Sequence, residues 1–389
     1  MDFTISKEHQ MIVDMVRDFA EKEMAPVIKE CDRNQQTNRD AVERMRDLGI
    51  LGLCIPVSYG GQGMDYLSLG LVCEELERVD TSLRVVLSGH LTLVGLGLLQ
   101  WATEEQKQRF LVPLAQGDQI ACFGLTEPGA GSDTTALAST ARRTSSGYIL
   151  NGEKMWISLA PLADILLVFA KTDPLAQPAH RGISAFIVER AMEGVITGDI
   201  QGKLGVRAGS TGWISLSDVH VPVENRLGAE GEGLKIALSC LDNGRYSVAA
   251  GATGLIRACL EASVSYAKER YTFGQEIGQP QLVQQMLART KRDYEMARLL
   301  YLRVGWLKNQ GYRNTWQVSL AKWFATEASF TAASNAVQIH GGYGYSDEYD
   351  VERYLRNAKG ACIYEGTSQI HEIMQGQYAL GYRIDRPLR

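Results

Sequence analysis

The sequence lacks the marks of a secreted or membrane-anchored protein. Its seven cysteines are an odd number and include no C-x-x-C pair, which argues against a disulfide framework and a zinc site. The N-terminal stretch mixes acidic with basic residues and has no apolar signal core. The most apolar run, residues 91–99, is too short to span a bilayer. We therefore expect a cytoplasmic protein without a membrane span.

A large excess of charge is also missing. The net charge is −5 and charged residues make up 22% of the chain, so nothing suggests nucleic acid or an anionic membrane as a partner. Hydrophobic residues make up 45%, which is ordinary for a soluble globular protein. With 389 residues, the chain can hold two or three domains with substantial buried cores.

Hydrophobic periodicity divides the chain into a helical, a strand-rich and a second helical part. The predicted helices run from Ser6 to about Cys31, then over Asp40–Leu48, Tyr66–Val79, Ser82–Trp101, Glu104–Ala115, Leu234–Glu269, Leu282–Asn309, Thr315–Ile339 and Ser368–Leu380. The predicted strands are Tyr148–Leu150, Lys154–Ile157, Ile165–Ala170, Ile183–Val188 and Trp213–Val219. Asn151-Gly152 suits a type I′ turn and predicts a hairpin between the first two strands. We expect a mainly α protein with a central β domain: helices over 1–120, a barrel or sandwich over 121–231 and a helical bundle over 232–389.

A glycine-rich loop, Ile120–Asp133, marks the change from helices to strands. Its glycines let the backbone approach a ligand closely, and Pro128 stiffens one turn. Thr126, Ser132 and successive backbone N–H groups are suited to hold a phosphate or the edge of a heteroaromatic ring. Taken alone, the loop is better interpreted as an ordinary helix-to-strand connection.

Five motifs resemble those of acyl-CoA dehydrogenases in their order and spacing, and they cover nearly the whole chain. They are TEPGAGSD (126–133), GEKMWIS (152–158), RYTFGQEIGQPQ (270–281), QIHGGYGY (338–345) and IYEGTSQIHE (363–372). This resemblance implies an N-terminal helical domain, a middle β-barrel and a C-terminal four-helix bundle. It also implies an FAD-dependent enzyme that oxidises an acyl-CoA thioester to a trans-2-enoyl-CoA.

The catalytic base implied by the resemblance is Glu365, in the segment Tyr-Glu-Gly-Thr. In most relatives this Glu removes the α-proton of the acyl chain while the β-hydrogen leaves as hydride to flavin N5. The α-proton is weakly acidic, so such a base works best when burial raises its pKa and hydrogen bonds stabilise the thioester oxygen. Taken alone, Glu365 would be interpreted as a carboxylate at a helix N-terminus. Some relatives carry the base before an Arg of the first long bundle helix, where this chain has Gly244.

The resemblance implies an FAD site shared between subunits of a homotetramer, a dimer of dimers, with an electron-transfer flavoprotein as electron acceptor. The implied FAD-binding residues are Phe123, Leu125, Thr126, Ser132, Trp156, Ile157 and Ser158 around the isoalloxazine; Arg270, Phe273, Gln281, Gln338, Gly341 and Gly342 at the ADP half, from a neighbouring subunit; and Thr367 and Gln369. Without the motif around it, Trp156 fits an ordinary core residue. Leu159 replaces an amide that is common in relatives, which affects control of the flavin potential or the shape of the acyl pocket.

The resemblance also implies a set of residues that bind the acyl-CoA, and no metal site is expected. They are Arg84, Ser132, Asp242, Arg245, Tyr364 and Gly366. Arg84 lies in a stretch similar to that of glutaryl-CoA dehydrogenases, where an Arg binds the distal carboxylate, although Val85 replaces the Ser usual in that branch. The structural alternative is that Arg84 pairs with Glu77, two helical turns away, or extends to solvent. For Asp242 and Arg245 the alternative is a helix-surface ion pair.

Three functions remain open from the sequence. The first is acyl-CoA dehydrogenation, acting on a dicarboxylyl-CoA such as glutaryl-CoA, with or without decarboxylation, or on a short- or branched-chain acyl-CoA with a structural Arg84. The second is a non-dehydrogenating, desulfinase-like lyase on the same scaffold, whose relatives lack the acid at the position of Glu365. The third is a non-catalytic helical scaffold or flavin-binding partner protein, which the presence of Glu365 with the Thr126 and Ser158 hydroxyls disfavours.

Overall fold

The computed structural model describes residues 5–385, so the outer ends of the first and third predicted domains, 1–4 and 386–389, lie outside the described residues. The helices are α1 Lys7–Asp18, α2 Ala25–Asn34, α3 Arg39–Asp47, α4 Tyr66–Val79, α5 Thr81–Leu87, α6 Leu96–Trp101, α7 Glu104–Gln106, α8 Val112–Gln116, α9 Gly233–Glu269, α10 Gln281–Asn309, α11 Thr315–His340, α12 Val351–Ala361 and α13 Ser368–Ala379. The strands are β1 Ala121–Gly124, β2 Thr140–Arg143, β3 Gly147–Ser158, β4 Ile165–Lys171, β5 Ile183–Glu189, β6 Val195–Asp199, β7 Thr211–Pro222, β8 Arg226–Leu227, β9 Tyr271–Thr272 and β10 Gln275–Glu276.

The N-terminal part is helical, as predicted. Its first helix begins where Ser6 caps α1 by accepting a hydrogen bond from the His9 N–H. Segments of π-helix, Phe19–Met24, Ser88–Gly95 and Lys107–Leu111, join α1 to α2, α5 to α6 and α7 to α8. The joined helix from Thr81 to Trp101 is long and apolar enough to cross a membrane, but 94% of its apolar window is buried inside the protein. It is the central core helix of this part.

The middle part is one eight-stranded sheet in the order β6-β7-β3-β2-β4-β5-β8, with β1 paired in parallel to β4. The side chains of β4 and β5 are almost entirely buried, which fits their continuous apolar sequences. Strands β1, β2, β6 and β8 were not predicted. Because β1 covers 121–124, the predicted glycine-rich loop begins with a strand that fixes its entry beside β4.

The predicted hairpin at Asn151-Gly152 is wrong. Residues 147–158 form the single strand β3, which pairs with β7 and carries an irregularity between Leu150 and Gly152. The Asn151 amide bonds across the sheet to the side chain and the N–H of Asp218, both at 2.9 Å. Gly152 closely approaches Ser139, with φ of 147°. The Asn-Gly pair therefore shapes a β-bulge rather than a turn.

The C-terminal part is built around α9, which packs against α4, α10 and α11. The predicted bundle helices are present within one residue at each end. Helix α12 and the β9–β10 hairpin were missed. In α12 the charged residues Arg353 and Arg356 pair with Asp80 and Asp32. The apolar residues of this helix still recur at helical spacing (Val351, Tyr354, Leu355 and Ala358), so the signal was present in the sequence and was overlooked.

Candidate active site

Glu365 lies in the short connection between α12 and α13. It adopts a left-handed conformation with φ of 55°, and Gly366 follows at 96°. A non-glycine residue in this region is uncommon and costs free energy, so the surrounding contacts must hold it there. On the far side of the turn, Thr367 caps α13 by accepting from the Ile370 N–H at 3.3 Å. The sequence E-G-T thus encodes a tight turn that ends at a helix N-terminus.

The Glu365 carboxylate projects toward helix α9. Its Oε2 is buried and has no hydrogen-bond partner within residues 5–385. Burial raises the pKa of this carboxyl to about 7, against the opposing charges of Arg84, Lys322 and Arg245. A buried carboxylate oxygen with no hydrogen-bond partner is free to accept a proton from a substrate, as a general base does.

Two glycines of helix α9 leave room for side chains of the site: Gly244 for the Glu365 carboxylate, and Gly251 for the Glu77–Arg84 pair. A Cβ on Gly244 would lie 2.8 Å from the Glu365 carboxyl carbon, and a Cβ on Gly251 would lie 2.9 Å from Arg84 Nε. The two glycines are seven residues apart and so lie on one face of the helix. Gly251 was not singled out from the sequence, although its spacing from Gly244 was a usable signal.

Arg84 is fully buried, so the extension to solvent considered from the sequence is wrong. Its Nε donates to Glu77 Oε2 at 2.6 Å, its Nη1 to Ser88 Oγ at 3.1 Å and its Nη2 to the Tyr364 hydroxyl at 2.6 Å. The expected pairing with Glu77 is therefore present, and the Tyr364 contact places the guanidinium next to the residue that precedes the candidate base. The charge of Arg84 acts on Glu365 by lowering its pKa.

Asp242 and Arg245 form an ion pair at 3.2 Å, but both are buried, so the helix-surface interpretation is wrong. Asp242 also accepts from the Thr315 hydroxyl at 2.7 Å. Arg245 Nε donates to the Glu365 carbonyl at 3.1 Å. The pair thus links α9 and α11 to the Glu365 turn.

The glycine-rich loop and β3 present an open aromatic surface. Trp156 is 58% exposed in the single chain, with φ of 63°, which contradicts its interpretation as a core residue. Nothing lies within 4 Å of where a Cβ on Gly129 or Gly131 would stand. A buried ion pair, Lys154 Nζ to Glu127 Oε1 at 2.7 Å, ties the loop to β3. These features fit the isoalloxazine of FAD, because an exposed indole face beside open backbone leaves space for a planar ring.

The other residues assigned to the isoalloxazine differ in exposure. Phe123 packs against Phe169 with ring centroids 5.0 Å apart, and Leu125 and Ile157 are buried, so only their backbone groups are candidates for contact. The side chains that remain accessible at the turn ends are Thr126, Ser132, Ser158 and Thr367, together with Gln369.

The residues assigned to the ADP half divide into two groups. Arg270, Gly341 and Gly342 line one cavity of about 590 Å³, in which no atom lies within 4 Å of either glycine's Cβ position. Phe273 stands fully exposed at the tip of the β9–β10 hairpin, with φ of 52°. Gln281 and Gln338 are exposed on α10 and α11. An exposed Phe at a hairpin tip is suited to insert into another subunit.

Lys322 on α11 is a site residue that sequence reasoning missed. Its Nζ donates to the Gly366 carbonyl at 2.7 Å, and the side chain has no exposed surface. A lysine among the small and apolar residues of α11 was the available signal. Within residues 5–385, no cluster of three or more His, Cys, Asp or Glu side chains could hold a metal ion.

Comparison with known proteins gives one consistent result. Models of the acyl-CoA dehydrogenase N-terminal, middle and C-terminal domains match residues 6–118, 122–219 and 231–378. The chain is 39% identical over 374 residues to the short-chain specific acyl-CoA dehydrogenase of Clostridium acetobutylicum, covering 96% of this chain and 98% of that protein. It is 39% identical over 388 residues to the glutaryl-CoA dehydrogenase of Desulfococcus multivorans, covering 98% and 99%. The structure of butyryl-CoA dehydrogenase from Megasphaera elsdenii is similar with a TM-score of 0.95 at 38% identity, covering 98% of this chain and 100% of that chain.

Proposed function

The chain belongs to the acyl-CoA dehydrogenase family, and on this premise we propose that it oxidises a short dicarboxylyl-CoA thioester, such as glutaryl-CoA, to the trans-2-enoyl-CoA. Glu365 removes the α-proton, and Arg84 binds the distal carboxylate. The observation that carries the proposal is the buried, unpartnered Oε2 of Glu365 directly after Tyr364, whose hydroxyl accepts from Arg84.

Proton removal is the step that this chain's own side chains perform. In its carboxylate form Glu365 accepts the α-proton at Oε2, and a pKa of about 7 makes it a stronger base than an exposed carboxylate while leaving much of it ionised at neutral pH. The N–H of Glu365, held in place by the left-handed turn, donates to the thioester oxygen and stabilises the negative charge that develops there. Asp242 and Arg245 bind the CoA portion.

FAD is the cofactor of this family, and when bound it supplies the acceptor for the β-hydrogen as hydride. Trp156, Thr126 and Ser158 would hold its ring, and Arg270 with Gly341 and Gly342 would hold the ADP half of a neighbouring subunit's FAD. The support is the exposed indole and the open glycine-lined cavity. The lyase and scaffold alternatives gain no support, because both leave the buried base at 365 without a role.

The dicarboxylyl substrate is supported by the hydrogen-bonding capacity of Arg84. A guanidinium has five N–H groups, and Glu77, Ser88 and Tyr364 take three of them. The remaining donors suit a carboxylate, which needs a paired cation when it is buried. The similarity to a glutaryl-CoA dehydrogenase over nearly the whole chain points the same way.

A second candidate is a short, uncharged acyl-CoA, with Arg84 structural. The observation in its favour is the 2.6 Å pair with Glu77, which already neutralises the buried guanidinium. The similarity to a short-chain specific acyl-CoA dehydrogenase is equally extensive.

Anaerobic flavin bleaching by butyryl-, isobutyryl-, octanoyl- and glutaryl-CoA tests the choice. The double variant Glu77→Gln/Arg84→Gln removes both buried charges together and so avoids an unpaired ion. The lost Arg84 charge also raises the pKa of Glu365 and so slows the reaction with every acyl-CoA. We expect kcat/KM for glutaryl-CoA to fall about 100-fold more than kcat/KM for butyryl-CoA, the usual order for a lost buried charge contact. The control Glu75→Gln/Arg257→Gln removes another Glu–Arg pair, at 2.8 Å, between α4 and α9. Wild-type bleaching by butyryl-CoA but not by glutaryl-CoA would favour the second candidate.

The assembly and the electron acceptor are part of the same proposal. We infer a homotetramer in which Phe273 and Arg270 of one subunit complete the FAD site of another. The support is the complete exposure of Phe273 in the single chain. The proposed electron acceptor is an electron-transfer flavoprotein, and the proposed location of the protein is the cytoplasm.

A further inference from the structure

Lys322 is a buried lysine whose ammonium group is hydrogen-bonded to a main-chain carbonyl rather than to a carboxylate. It lies on α11 with no exposed surface, and its Nζ donates to the Gly366 carbonyl at 2.7 Å. Burial lowers the pKa of this ammonium to about 7, and the charge of Glu365 opposes that change. Burying a lysine is costly unless its charge is compensated. A main-chain carbonyl is a weak partner for it, so Glu365 is the anion that stabilises the charged form.

The turn at Glu365 is held by two cations on two different helices. Arg245 from α9 donates to the Glu365 carbonyl at 3.1 Å, and Lys322 from α11 donates to the next carbonyl, that of Gly366. Both residues of the turn have positive φ, and the Glu365 conformation needs outside support. His371 also packs against this turn, and its Nδ1 contacts Ser319 Oγ at 2.8 Å. Two consecutive peptide groups are thereby fixed beside the base.

Charged groups from several surrounding elements act on Glu365 and Lys322. Arg84 from α5, Arg245 from α9 and Lys322 from α11 each lower the pKa of Glu365, against the larger effect of burial. The pKa of Lys322 is raised by Glu365 and the Cys362 thiol, and it is lowered by Arg245 and Arg84. The charge of Lys322 keeps the pKa of His371 low, at about 3, after the larger effect of burial, so that imidazole stays neutral.

We propose that Lys322 is a positioning residue for the base: its ammonium group fixes the Gly366 carbonyl and favours the carboxylate form of Glu365. This inference rests on the proposed function, in which Glu365 removes the α-proton. Lys322 touches neither the substrate nor the reacting atoms in this account. It acts through the turn and through its charge.

The first test follows the ionisation of Glu365 without substrate. The infrared band of a protonated carboxyl, identified as the band that Glu365→Gln removes, is titrated in the FAD-loaded protein. We expect Lys322→Met and Lys322→Gln to raise the pKa of this carboxyl by about one unit, since a nearby opposite charge is lost, and Lys322→Arg to leave it nearly unchanged. Lys308→Met is the control, because Lys308 is another lysine whose pKa burial lowers, to about 8, but it contacts Asn243 at 2.8 Å. An unchanged pKa in Lys322→Gln or Lys322→Met would overturn the inference.

The second test separates charge from geometry. Lys322→Gln keeps a donor for the Gly366 carbonyl, whereas Lys322→Met removes it. We expect the limiting rate of flavin reduction by acyl-CoA to fall about tenfold in Lys322→Met, less in Lys322→Gln and least in Lys322→Arg, with little change in KM. Equal loss in all three variants would overturn the positioning role. If no acyl-CoA reduces the wild-type flavin, the proposed function fails while the infrared titration still decides the effect of Lys322 on Glu365.

Discussion

Replacing Gly244 by Ala places a methyl group where the Glu365 carboxylate lies. The new Cβ would stand 2.8 Å from the Glu365 carboxyl carbon and 2.7 Å from Leu93 Cδ2, against an ordinary contact distance of 3.4 Å. Leu93 can rotate, but Glu365 Oε2 stands nearer still to the new Cβ, so the carboxylate oxygen must move by about 1 Å. A misplacement of about 1 Å can cost about 100-fold in rate, so we expect flavin reduction to slow by roughly 10- to 100-fold, or about 1.4 to 2.7 kcal/mol in the barrier.

The assay is stopped-flow reduction of the bound flavin at saturating acyl-CoA under anaerobic conditions. Gly376→Ala is the matched control, because it makes the same change inside a helix, α13, where nothing lies within 4 Å of the new Cβ. Ala is a better helix former than Gly by about 1 kcal/mol, so neither variant should unfold for lack of helix propensity. A fully FAD-loaded Gly244→Ala with the wild-type reduction rate would refute the position assigned to the carboxylate.

Further predictions concern pH, stability and assembly. The kcat/KM for the acyl-CoA, which reports groups of the free enzyme, should rise with pH through about 7 as Glu365 loses its proton, and a flat profile from pH 6 to 8 would contradict this assignment. In the folded protein the pKa of Glu365 lies above its ordinary value of 4.5, so ionisation of this carboxyl destabilises the fold increasingly from about pH 4.5 to 7. Glu365→Gln should therefore raise Tm more at pH 8 than at pH 4. An equal rise at both pH values would contradict the raised pKa. Lys154→Met leaves Glu127 buried without its ion-pair partner, and chemical denaturation should show a loss of about 3 to 5 kcal/mol; a loss below 1 kcal/mol would exclude a structural role for the pair. Phe273→Asp should dissociate the assembly and weaken FAD binding in analytical ultracentrifugation and flavin release assays, whereas an intact, flavin-loaded assembly would show that the hairpin tip is not an interface.

The sequence predicts the long elements of this protein well, because each repeats one period over many residues. Helix α9 illustrates this: its predicted range differs from the observed one by a single residue at the start. The errors fall where local and tertiary signals compete. Asn151-Gly152 is a strong local turn signal, but the hydrogen bonds to Asp218 across the sheet turn it into a bulge within β3.

The residues of the candidate site also divide into those that the sequence predicts and those that it does not. Some site residues stand in contiguous motifs, namely Glu365 and the aromatic and glycine residues of the loop. Their resemblance to the motifs of known flavoproteins allowed them to be predicted from the sequence. Lys322 and Gly251 act through contacts with residues distant in the chain, Gly366 and Arg84, and no short motif encodes such a contact. For Arg84, the pairing with Glu77 is confirmed, whereas its binding of a distal carboxylate stays a prediction.

The most direct test of the central claim compares the wild type with Glu365→Gln. Both are loaded with FAD and mixed anaerobically with butyryl-CoA and with glutaryl-CoA, while binding of each thioester is measured separately. We expect the wild-type flavin to bleach with at least one of the two, and Glu365→Gln to bind the thioester but bleach at least about 1,000-fold more slowly, within the range for loss of a general base. Bleaching of Glu365→Gln at a rate near that of the wild type would show that another group removes the α-proton.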